Sequence, residues 1–141
     1  MTPGSGRTQR CSQADARHCL QHSKQFLEAA ELAAEDQHDD GSLEYGSAAA
    51  TLAVLAGIAA ADAACCKALG RRSRTDDHDQ AATLVAEIAP DGQSAAKSLR
   101  TLVALKNDAQ YGFHTVGSSE LTKAVRGARK LVDFADSTLR R

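Results

Sequence analysis

The chain has 141 residues, enough for one domain around a single core and too few for two. Its net charge of -1 excludes the simple electrostatic case for a duplex DNA binder, which asks for an excess of Lys and Arg. With 43% hydrophobic residues, only 4% aromatic and no Trp, the core has to be built from Ala, Leu and Val, the composition of an all-α bundle.

Residues 1–11 are polar, rich in Gly and Arg, and hold no apolar signal segment, so they are expected to form a disordered leader. Residues 12–141 then make one helical-bundle domain. Ser12 opens a first helix with Asp15 as capping-box partner, and the helix runs to about Asp36. Ala16, Cys19, Phe26, Ala30 and Ala33 recur at three- and four-residue steps, which turns one stripe to the core. The acidic stretch from Glu35 to Gly41 reads as a solvated loop, after which Ser42 caps the next helix.

That next helix holds the run from Ser47 to Leu69, nearly half of it alanine, with no proline and one glycine. It is apolar almost all round, so it belongs at the centre of the bundle. A membrane span is the competing reading. Ala is only weakly hydrophobic, however, and Asp62 would sit near mid-bilayer at a cost of about 3 kcal/mol, so no membrane is expected. Asp62 is the anomaly of the helix: a carboxylate among alanines requires a cation or several donors. Lys106 or an arginine between Arg71 and Arg74 can supply it, either as a tie between helices or as part of a polar pocket.

Gly70 is placed to cap this helix, and Thr75 to open a third one that runs to about Ala89. Pro90, Asp91 and Gly92 form a turn. A fourth helix covers Gln93 to Tyr111, and Ser118 caps a fifth that runs to about Leu139. The expected fold is therefore all-α: a single-domain, five-helix, up-and-down bundle. No strand is expected. There is no Gly-rich phosphate loop and no strand to precede one, so no cofactor is implied.

Three clusters could carry chemistry. Arg71, Arg72 and Arg74 stand beside Asp76, Asp77 and His78 where the third helix begins; guanidinium groups at a helix N-terminus suit an anion, unless the charges simply neutralise one another in an exposed loop. Lys106, Asn107, Asp108 and Tyr111 close the fourth helix, with Asn107 and Tyr111 one turn apart; they are a second candidate, or else a frayed helix end with Tyr111 lying on the core. His18 and His22, at i and i+4, have a metal-gripping spacing, but two ligands are too few and no metal site is assigned. The cysteines Cys11, Cys19, Cys65 and Cys66 lack CxxC spacing and read as reduced thiols of a cytoplasmic protein.

The Ala-rich helix ending in LGRRSRTDDH, a short helix, LVALKNDAQYG and a closing amphipathic helix together resemble the HEPN (higher eukaryotes and prokaryotes nucleotide-binding) superfamily. The likeness spans about Leu20 to Leu139. It implies a small helical bundle that forms homodimers and works either as a ribonuclease toxin beside a nucleotidyltransferase-type partner protein or as a non-catalytic binding module. Catalytic members carry an Arg and a following His on a late helix. Lys106 and Tyr111 stand there in this chain, and KNDAQY is similar to the Arg-x-x-Ala-x-Tyr element of non-catalytic relatives. Taken with the Arg-rich junction and the carboxylate of the central helix, the resemblance points to a non-catalytic module that binds RNA, a nucleotide or a protein partner, with Asp62, Arg71, Arg74, Asp77, Lys106, Asn107 and Tyr111 as candidate binding residues. One alternative is a ribonuclease of a toxin–antitoxin pair using Arg72 and His78, with the His as general base and the Arg stabilising the phosphorane. The other is a purely structural or interaction bundle.

Overall fold

A computed structural model of the chain describes residues 8–74, 77–111 and 116–141, the side chains of 107–111 excepted. In chain order the elements are β1 (Thr8–Arg10), α1 (Gln13–Ala33), α2 (Gly46–Leu69), β2 (Arg71–Ser73), α3 (His78–Ala86), α4 (Gly92–Tyr111) and α5 (Ser118–Leu139). The helical bundle is as expected; the two strands are not.

Helix α2 is the hub, packed against each of the other four helices. By length and composition Gly46–Leu69 could cross a bilayer, yet 67% of its most apolar window is buried inside the bundle. Its alanines are what allow this. Ala53, Ala56, Ala60, Ala63 and Ala64 are fully buried and present only a methyl group each, so neighbouring backbones come close. The volume is supplied from outside the helix by Leu84, Leu99, Leu102 and Leu131. At Gly57 even a methyl group is too much: a Cβ there would lie 2.5 Å from Leu102 Cδ1.

The helix ends follow local chemistry, with some corrections. Ser12 accepts from the Asp15 N–H at 3.0 Å while Asp15 accepts from the Ser12 N–H at 2.8 Å, the reciprocal pair that was expected. Helix α1 stops at Ala33, short of Asp36, and the acidic residues beyond it form a turn closed by a bridge between Gln37 and Leu43. Carboxylates at a helix C-terminus oppose the macrodipole, so ending early is favourable. Ser42 does not cap α2, because its N–H and hydroxyl both go to Asp40 Oδ1. Gly70 does cap α2, in the left-handed conformation.

Helix α3 is capped by Asp77, which accepts from the Gln80 N–H at 3.0 Å; Thr75 lies outside the described residues. It ends at Ala86 rather than Ala89, with Glu87 and Ile88 tightening into i→i−3 hydrogen bonds ahead of Pro90. Gly117, not Ser118, is the N-cap of α5.

Strands β1 and β2 pair antiparallel, Thr8 opposite Ser73 and Arg10 opposite Arg71. Thr8 to Cys11 are thus ordered, although they fall in the stretch read as a leader. Cys11 continues the pairing by donating its N–H to the Gly70 carbonyl at 3.0 Å, and its sulfur is bonded to Cys66. Cys11 and Cys66 are therefore a disulfide, not reduced thiols, and the support that reduced thiols lent to a cytoplasmic setting is withdrawn. Cys19 and Cys65 are free.

Candidate functional site

The first site forms where β1 and β2 cross the end of α2. The β-pairing and the Cys11–Cys66 bond fix the backbone of Arg71–Ser73, and Arg72 is directed back to α2. There its Nη1 lies 3.5 Å from Asp62 Oδ2 and 3.8 Å from Cys19 Sγ. Arg72, rather than Lys106, is thus the partner that Asp62 requires. Asp62 is 20% exposed, and burial raises its carboxyl from 3.8 to about 6 even though the Arg72 guanidinium works in the opposite direction. Burial pushes the Cys19 thiol up as well, reinforced by Asp62, and takes the Cys65 thiol up to about 12. Neither thiol is poised as a nucleophile.

His78 belongs to a different contact. Its Nε2 stands 3.3 Å from Lys106 Nζ, which joins the start of α3 to α4. The contact is a hydrogen bond whose direction depends on the imidazole tautomer. Arg72 and His78 are therefore engaged with different partners, Asp62 and Lys106. Asp77 is tied to β2, its carbonyl accepting from the Ser73 hydroxyl at 2.8 Å. Arg71 is half-buried and faces Arg10 across the strand pair; Arg74 is exposed. The side chains of Asn107 and Tyr111 lie outside the described residues. His18 and His22 stack their rings with centroids 5.5 Å apart on an exposed stretch of α1.

A second site was not foreseen from the sequence. Helices α4 and α5 run in opposite directions, as Arg141 bonding to the Ala89 carbonyl and Leu102 meeting Gly127 require. Between them runs a groove of about 630 Å³. Leu105 and Gly127, both half-buried, make its floor over the buried Leu102 and Ala124, and the missing side chain at Gly127 keeps it open. Lys97, Lys123, Arg126 and Lys130 stand along its rim, with Glu120 as the one acidic lining residue among the described side chains. All four cations are exposed. The α4 wall runs from Ser94 to Leu105, about 16 Å at 1.5 Å per residue, or three helical turns. The signal in the sequence is the spacing of Lys123, Arg126, Gly127 and Lys130, which puts three cations and a gap on one stripe of α5.

No family model matches the chain, and a search of curated proteins finds no significant match.

Proposed function

We propose that the chain is a non-catalytic, HEPN-like helical module whose work is to bind a partner in the groove between α4 and α5. The observation that carries this reading is the groove itself: an apolar floor under a rim that, among the described side chains, holds four cations and one acid. A nucleic acid or free nucleotide matches the cations but leaves the half-buried Leu105 wet, whereas an amphipathic helix with acidic flanks matches both. Of RNA, a nucleotide and a protein, the groove favours a protein.

Two further contacts support a non-catalytic role. A ribonuclease needs a guanidinium and an imidazole converging on one phosphate, but Arg72 is held by Asp62 and His78 by Lys106. The test is incubation of the purified chain with total RNA in the presence of a chelator. The expected result is intact RNA for the parent and for His78→Ala alike. Cleavage by the parent that disappears in His78→Ala would overturn the reading and favour the toxin alternative.

A further inference from the structure

The residues that line the groove fall at coiled-coil spacings on both of its walls. On α5, Lys123, Arg126, Gly127 and Lys130 stand at i, i+3, i+4 and i+7, the four positions that frame the hole for a knob from a neighbouring helix. Gly127 contributes no side chain, and the buried Leu102 lies beneath it, 3.5 Å from where a Cβ would stand, so a knob rests on Gly127 without entering the core. Lysine and arginine stems line such a hole while their charged ends stay in water. On α4, Ser94, Lys97, Ser98 and Thr101 repeat the spacing, and exposed Ala104 and half-buried Leu105 follow one turn later.

The two walls differ in charge. Among the described side chains that line the groove, α5 contributes three cations over the two turns from Lys123 to Lys130, whereas Lys97 is the single cation of α4. Building on the groove reading above, we infer that the partner presents a helix whose acidic residues run along one edge only, the edge that faces α5. Apolar residues at three- and four-residue steps fill the holes, carboxylates meet Lys123, Arg126 and Lys130, and small or hydroxyl-bearing residues lie against Ser98, Thr101 and Ala104. The occupant completes a three-helix layer with α4 and α5. The one-sided charge also sets its direction, because a helix with its apolar stripe down and its acidic edge toward α5 lies only one way along the groove.

The test is fluorescence anisotropy with three labelled synthetic peptides of about 14 residues, two heptads or about 21 Å of helix, which span the groove. All three share one composition and one apolar stripe. The first carries its Glu residues along a single edge, the second divides them between both edges, and the third places them on the face opposite the stripe; circular dichroism confirms equal helicity and folded protein variants. The single-edge peptide is expected to bind the parent roughly tenfold tighter than either of the others, and less tightly as salt is raised. Lys123→Glu with Lys130→Glu should weaken its binding by roughly tenfold or more, and Lys97→Glu by no more than about threefold. Equal binding of the single-edge and divided-edge peptides, weakened by Lys123→Glu with Lys130→Glu, overturns the one-edge inference and leaves the groove reading standing. Binding of none of the three, or binding indifferent to the α5 substitutions, removes both.

Discussion

The Arg72 guanidinium lies 3.5 Å from the Asp62 carboxylate, Nη1 to Oδ2, and this contact ties the short sheet to the central helix. It only partly offsets what burial costs the charge, since the Asp62 carboxyl stands at about 6 instead of 3.8.

Asp62 should therefore make stability fall as pH rises. Between about pH 4 and pH 6 the folded chain holds a proton that the unfolded chain has already released, because the folded value is the higher one. Stability contributed by the protonated form is complete below pH 4 and is lost as pH rises through 6. A shift of about two units corresponds to about 3 kcal/mol at most. Urea melts of the parent and Asp62→Asn at pH 4 and pH 8 measure it: the Asn variant should gain about 2 to 3 kcal/mol relative to the parent over that interval. A difference that stays within about 0.5 kcal/mol would mean that Asp62 is solvated.

Reduction of Cys11–Cys66 should lower stability substantially. The bond joins residues 55 apart, and chain-entropy reasoning gives about 4 kcal/mol for a loop of that length, with measured values typically 2–4 kcal/mol. Cys11→Ser should show the same loss without reductant and no further loss with it. A Cys11→Ser chain as stable as the oxidised parent would contradict the pairing.

Helix order, the bundle and the central position of α2 were legible in the sequence because they follow from period and composition over long windows. Gly70 and the Ser12–Asp15 pair were legible as well, since capping is local chemistry. The strands were not: TQR and RRS are three residues each and polar, and their pairing links positions more than sixty residues apart. For the same reason the Cys11–Cys66 bond was hidden, as spacing along the chain carries no information about a contact made by folding. Asp62 announced that it required a partner, yet choosing Arg72 over Lys106 needed the path of β2. The α4–α5 groove was missed because its cations are distributed over two helices and look like ordinary solvated faces when either is read alone.

Two glycines should respond in opposite ways to the same change. In Gly57→Ala the new methyl would lie 2.5 Å from Leu102 Cδ1 and 3.1 Å from Leu131 Cδ1, so overpacking of about 1–3 kcal/mol competes with a helix-propensity gain of about 1. Net destabilisation of up to about 2 kcal/mol is expected in urea melts. At Gly127 the nearest atom is Leu102 Cγ at 3.5 Å, an ordinary contact, so Gly127→Ala should leave stability unchanged or raise it by up to about 1 kcal/mol. Because that methyl raises the groove floor, binding of the acidic peptide should weaken in the same variant. Tighter binding by Gly127→Ala would contradict the groove's role.

The most direct test of the groove as the binding face is a methyl-labelled leucine spectrum of the protein titrated with an acidic amphipathic peptide. The methyls of Leu105, half-buried on the groove, should shift and saturate, while those of Leu84, buried in α3, stay in place. Unmoved Leu105 signals at saturating peptide would contradict the proposal.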